Sequence, residues 1–122
     1  MGPMLLVRVD ASVEIGRGHA SRCLALAQAW RRRGGEAVFA MAEQMEPLDA
    51  AVREVARVEP LDVVCGSDED ARRTLELARR HDTVLVVVDG YRFRKAFLRD
   101  GLVFLRPAGA GLRHRLAPQR GR

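Results

Sequence analysis

Short apolar runs alternate with segments of helical period along most of this chain, and that alternation limits the fold more than any other feature. Residues 4–9, Met-Leu-Leu-Val-Arg-Val, form a nearly continuous apolar run, as a strand buried on both faces does. Residues 20–33 follow with Cys23, Leu24, Leu26, Ala27 and Trp30 at helical spacing, closed by Arg31-Arg-Arg33 and stopped by Gly34-Gly35. A second strand is expected over 36–41 and a second helix over 47–58, with Pro47 in its first turn and Leu48, Val52, Val55 and Ala56 turned inward. A short third strand is expected over 61–64. Ser67 then reads as the N-cap of a helix reaching about His81, with Asp70 at the capping-box position and Ala71, Leu75 and Ala78 inward. Residues 83–88, Thr-Val-Leu-Val-Val-Val, make the most strongly β-patterned run, ending at Asp89-Gly90, and 91–99 is expected to be helical. Four strands alternating with helices imply an α/β, Rossmann-like three-layer sandwich around a parallel sheet of about four strands.

The 122 residues, 48% hydrophobic and 30% charged, fit one soluble globular domain. No apolar run approaches the ~20 residues of a membrane span, and the start lacks the layout of a secretory signal. A cytoplasmic protein without a membrane partner is expected. Cys23 and Cys65 are too few for a disulfide framework and lack metal-ligand spacing, so both are read as core residues and no metal is expected. The net charge of +5 resides entirely in residues 101–122, which hold five arginines and no acid, while residues 1–100 balance. A neutral body does not present a basic footprint, and no nucleic-acid partner is expected.

The chain accordingly divides into a Rossmann-like domain over 1–100 and a basic tail over 101–122. The tail begins with a possible strand start, Gly-Leu-Val-Phe-Leu-Arg, and then shows neither helical nor strand period. Rich in Arg, Ala, Gly and Pro and free of acids, it has the composition of a shifted reading frame in a GC-rich gene. The body, with 15 arginines against the single Lys95, fits such a gene. A frameshifted or truncated end is the expectation, and a natural basic tail the alternative.

In an open parallel sheet, ligands bind beyond the carboxyl ends of the strands, where the strand order reverses. The first and fourth strands are expected to be neighbours there, so the loop from Asp10 to Gly18 and the turn Asp89-Gly90-Tyr91 face one crevice. Gly16 and Gly18 allow close backbone approach and lead into a helix N-terminus, where free amides suit a phosphate; a tight turn needed only for packing is the simpler alternative. His19 falls in the first helical turn, placed to accept a proton as a neutral imidazole. Arg17 and Arg22 are candidate anion ligands, Arg22 lying one turn beyond His19. Asp10 and Asp89 either order loops or bind substrate hydroxyls. Tyr91 either packs beneath the loop or lines the site.

The stretch Arg8-Val-Asp-Ala-Ser-Val-Glu-Ile-Gly-Arg-Gly-His-Ala-Ser-Arg-Cys-Leu-Ala-Leu-Ala27 closely resembles the N-terminal signature of the UDP-sugar hydrolases of pseudaminic acid biosynthesis, a family with spore-coat and flagellin-glycosylation relatives. Val87-Val-Asp-Gly-Tyr91 resembles that family's second marker, and the resemblance spans about residues 4–100. It implies the N-terminal half of a GT-B arrangement, in which two Rossmann-like domains face each other across a cleft. It also implies metal-independent, cofactor-free hydrolysis of a UDP-linked diacetamido-trideoxy sugar, with His19 as general base and Tyr91 at the substrate pocket. In that family UDP is held mainly by the second domain, and this chain departs from the pattern near Gly101. Alone, it is therefore expected to be inactive, or nearly so, and to self-associate through the surface the second domain covers. Three other readings are a glycosyltransferase-related domain, a dinucleotide-binding domain and a non-catalytic fragment. For the dinucleotide reading, Gly16-Arg-Gly-His-Ala-Ser21 imitates Gly-x-Gly-x-x-Gly and Glu43 stands near the ribose-binding position, but Ser21 replaces the third glycine.

Overall fold

The structure, a computed structural model, describes residues 2–12, 18–44 and 46–89 together with the backbone of Leu102–Leu105 and His114–Leu116. Its elements run β1 (Met4–Val9), α1 (Gly18–Arg32), β2 (Glu36–Met41), α2 (Leu48–Val55), β3 (Arg57–Pro60), α3 (Asp68–Arg80), β4 (Leu85–Asp89), β5 (Leu102–Leu105) and β6 (His114–Leu116). The sheet order is β3-β2-β1-β4-β5-β6. β3, β2, β1 and β4 are mutually parallel, and β5 and β6 extend the β4 edge antiparallel. The fold is the expected α/β, Rossmann-like sandwich with a four-stranded parallel sheet.

Strand alternation builds the three layers. Leu5, Val7 and Val9 of β1 point to one face, where they pack with Ala20, Cys23 and Ala27 of α1 and Leu48 and Val52 of α2. Leu6 points to the other face and joins Val38, Ala40, Val86 and Val88 under Leu77 and Ala78 of α3. Each central strand is thus buried on both sides, which is why β1 and β2 read as continuous apolar runs. At the end of α1, Gly34 takes φ +95°, a conformation that favours glycine. A Cβ on Gly35 would collide with the indole of Trp30, whose Nε1 donates to the carbonyl of Pro3 at 2.9 Å.

Two elements differ from the sequence expectation. The third strand lies at Arg57–Pro60, not 61–64, because α2 stops at Val55 and Ala56 is already extended at φ −153°, ψ 161°. β3 is an edge strand, so polar Arg57 and Glu59 alternate with Val58 and no apolar run marks it, whereas Val64 is 77% exposed. In α3, Ser67 is the N-cap and accepts from the Asp70 amide at 3.1 Å, as expected. The buried stripe, however, is Asp70, Thr74, Leu77 and Ala78, with Ala71 and Leu75 only half-buried. The helix turns its first-turn carboxylate inward to meet a buried cation on β1, and this rotates the stripe.

Leu102–Leu105 forms a strand where a strand start is expected, paired with β4. His114–Leu116 pairs with β5 in a segment where no period is visible, since three residues are too short to display one. The helix expected over 91–99 lies outside the described residues. Among the described residues no helix is long and apolar enough to cross a membrane.

Candidate functional site

β1 and β4 are adjacent and in register through Val9 and Asp89, so the two strands end together. The chain crosses to β2 on one side of β1 and to β4 on the other, which makes this rim the point where strand order reverses. Asp89 follows Leu85 and Val87 on the α1 face of the sheet and there meets the first two turns of α1. His19 Nδ1 lies 3.0 Å from Asp89 Oδ1, with the imidazole 14% and the carboxylate 21% exposed. Arg22, one turn on, grips the same carboxylate with two bonds, Nε to Oδ2 at 3.0 Å and Nη2 to Oδ1 at 2.9 Å. Its Nη2 also lies 2.9 Å from His19 Nδ1. The Cys23 thiol donates to Asp89 Oδ2 at 3.7 Å. Burial, and then the neighbouring Asp89 carboxylate, push this thiol up to about 12, so Cys23 stays protonated and is no nucleophile.

A neutral imidazole satisfies one of these Nδ1 contacts at a time. With its proton on Nδ1 the ring donates to Asp89 and leaves Nε2 as a base; with the proton on Nε2, Nδ1 accepts from Arg22. The first arrangement is the orienting carboxylate–imidazole pair that general-base catalysis uses. At the start of α1, nothing lies within 4 Å of where a Cβ on Gly18 would project, so that side of the helix N-terminus is open.

Asp10 sits at the same rim on the opposite face. It follows Arg8, which is completely buried in the middle of β1. Arg8 donates Nε to Asp70 Oδ1 at 2.8 Å and Nη2 to Asp70 Oδ2 at 2.7 Å. It also donates Nη1 to Asp10 Oδ1 at 2.8 Å and Nη2 to Asp10 Oδ2 at 3.1 Å. Asp10 Oδ1 further accepts the amides of Ala42 and Glu43 at 2.7 and 3.1 Å, and the Ala11 amide donates to the Glu43 carbonyl at 3.1 Å. Asp70 additionally accepts from the Gly66 amide and the Thr74 hydroxyl at 2.8 and 3.1 Å. Burial works against the charge on Arg8, and the bonds to Asp70 and Asp10 outweigh it, raising the guanidinium above its ordinary value. Burial likewise opposes ionisation of Asp10, and the hydrogen bonds and charge of Arg8 outweigh it, leaving the carboxyl below its usual range. The Cys65 thiol beside Asp10 is pushed up to about 12, by burial first and then by that carboxylate.

The structure therefore brings together His19, Arg22 and Asp89 and leaves Gly18 at their edge. It sets Asp10 on the other face of the sheet, where it ties the ends of β1 and β2 together. Gly16, Arg17 and Tyr91 lie outside the described residues. Sequence reasoning read Asp70 as a capping residue and did not foresee its pairing with Arg8. The signal was present, because a charge inside a strand buried on both faces has to be paired, and Asp10 stands two residues on.

A cavity of about 490 Å³ opens at the other end of the sheet, lined by Met4, Gly34, Glu36 and the arginines Arg31, Arg53 and Arg57. It lies at the amino ends of β1 and β2, remote from the rim where parallel sheets carry their chemistry. Arg31 there donates to the Val55 carbonyl at 3.1 Å and so serves the end of α2. Among the described residues, no three His, Cys, Asp or Glu side chains converge as metal ligands do. What fold and rim define together is an α/β, Rossmann-like domain with a carboxylate–imidazole–guanidinium cluster at its switch point. No protein-family model, curated protein or solved structure matches the chain.

Proposed function

We propose that this chain is the N-terminal, GT-B-type half of a nucleotide-sugar hydrolase, acting on a UDP-linked diacetamido-trideoxy sugar with His19 as general base. The observation that carries the reading is the 3.0 Å approach of His19 Nδ1 to Asp89 Oδ1 at the carboxyl end of β4. The resemblance of residues 8–27 to the hydrolase signature supplies the substrate class. In this reading Asp89 holds the proton of Nδ1 and Nε2 faces the crevice. Water gives a proton to Nε2 as its oxygen bonds to the anomeric carbon. The bond from that carbon to the diphosphate breaks, and UDP leaves with the electron pair. A metal ion is not needed for the proton transfer, and the leaving charge falls to donors of the second GT-B half. A cytoplasmic location goes with this reading, supported by a sugar-nucleotide substrate and by Cys23 and Cys65 being free thiols.

The test is UDP release, followed by phosphorus NMR, in protein carrying a UDP-binding second half. His19→Ala is expected to remove most turnover while UDP binding persists. Unchanged turnover in that variant removes His19 as the base and the reading with it.

A further inference from the structure

Arg8 is the last residue but one of β1 and reaches out from the α3 face of the sheet, where it grips two carboxylates with different neighbours. Asp70 turns its other bonds to its own helix and the approach to it, accepting from the Gly66 amide at 2.8 Å and the Thr74 hydroxyl at 3.1 Å. Asp10 turns instead to the rim. Its Oδ1 accepts the amides of Ala42 and Glu43 at 2.7 and 3.1 Å, the first two residues after β2. The Glu43 carbonyl accepts the Ala11 amide at 3.1 Å, so the chain leaving β1 and the chain leaving β2 are closed on each other. Arg8 fixes the same corner, giving Nη1 to the Ala40 carbonyl of β2 at 3.3 Å. Ala11 carries the lock to the other face of the sheet. It is fully buried and belongs to the apolar cluster that holds Ala20 and Cys23 of α1, on the face where His19 meets Asp89.

Resting on the hydrolase reading, we propose that Asp10, held in place by Arg8, is a positioning residue for His19: it sets the point at which the chain leaves β1 and, through Ala11, the seat of the first turn of α1 over Asp89. The position depends on the charge. A carboxylate buried at this depth keeps its two amide partners only while a cation offsets its burial, and Arg8 supplies that cation from within β1. With the carboxylate gone, the Ala42 and Glu43 amides turn to water, the Glu43 carbonyl moves with them, and Ala11 loses its acceptor. The His19–Asp89 approach of 3.0 Å does not survive a displacement of about 1 Å, an error that costs a reaction about 10²-fold. Among the described residues Asp70 shares the cation but bonds to neither loop, so the two carboxylates separate positioning from plain stabilisation.

The test compares Asp10→Ala with Asp70→Ala, each checked for folding by its amide NMR spectrum. In the ligand-free chain, Asp10→Ala is expected to shift the amide signals of His19 and Ala20, and Asp70→Ala to leave those two signals in place. In protein carrying a UDP-binding second half, Asp10→Ala is expected to lower kcat about 10²-fold with UDP binding retained, and Asp70→Ala to keep kcat near that of wild type. Asp10→Asn keeps an oxygen for the two amides and is expected to restore most of the turnover while remaining less stable than wild type. A role in stability alone does not predict that rescue. Ala42→Pro removes one amide of the lock and leaves every buried charge in place, so it carries the test where Asp10→Ala does not fold, with the same shifts at His19 and Ala20 expected. Unmoved His19 and Ala20 signals in these variants overturn the proposal, as does an equal fall in kcat for Asp10→Ala and Asp70→Ala. If the signals move as expected and His19→Ala leaves sugar-nucleotide turnover intact, the link from Asp10 to α1 stands and the hydrolase reading falls.

Discussion

His19 Nδ1 and Asp89 Oδ1 lie 3.0 Å apart although 70 positions separate them in the chain. The approach follows from the topology. β4 lies directly beside β1 with Val9 opposite Asp89, so the helix that starts after the β1 loop opens over the last residue of β4. Asp89→Asn retains the shape of the side chain but exchanges one carboxylate oxygen for an amide donor. In the two-half assay this substitution is expected to lower turnover by about 10²–10⁴-fold, the usual worth of a well-placed base. Far-ultraviolet circular dichroism should be unchanged.

The buried cation on β1 governs stability. Among the described residues Arg8 is the cation bonded to both buried carboxylates, Asp10 and Asp70, so Arg8→Met removes the charge that pairs them. Urea unfolding is expected to show a loss of about 3–5 kcal/mol, the penalty for breaking a buried pair from one side. A loss below about 1 kcal/mol would mean that the network is solvated.

The same network sets the acid limit. Because the Asp10 carboxyl is held below its ordinary value in the folded state, it contributes stability that is fully present above the unfolded value of about 3.9. That contribution is lost as pH falls through the lowered folded value. Asp10→Asn is therefore expected to weaken the dependence of stability on pH below about 4. Urea midpoints measured between pH 2 and 6 for both proteins check the sign.

How much of this was legible in the sequence depends on what each residue's pattern encodes. β1 and β2 were readable to the residue because burial on both faces leaves nearly continuous apolar runs, broken in β1 only by Arg8. β3 was not, because an edge strand alternates and its Arg57-Val-Glu-Pro60 looks like a loop. The meeting of His19 and Asp89 was legible, since strand order alone places the ends of β1 and β4 together. Asp10 was grouped with them because position along a strand fixes the rim but not the face. The alternation that puts Asp89 with Leu85 and Val87 puts Asp10 with Arg8 on the other side. Asp70 was read only as a capping residue, and its pairing with Arg8 was missed because the two lie 62 positions apart.

Both thiols test the burial of the two carboxylates from another side. Each cysteine is pushed up to about 12, so the thiolate fraction at pH 8 is negligible. Reaction with a disulfide reagent at pH 8 is expected to be slow for Cys23 and Cys65 alike, and fast for both in urea. Rapid labelling of Cys23 in the folded protein would place its sulfur outside the Asp89 cluster.

The claim at the centre of this account is that the rim formed by β1, α1 and β4 receives a sugar nucleotide. An amide-NMR titration of the chain with UDP-N-acetylglucosamine, UDP and NADH in parallel tests it most directly. The account predicts shifts concentrated at Gly18, His19, Arg22 and Asp89 with the UDP-sugar and none with NADH. A tight response to NADH, or a rim that stays silent to the UDP-sugar at saturating concentration, would contradict it.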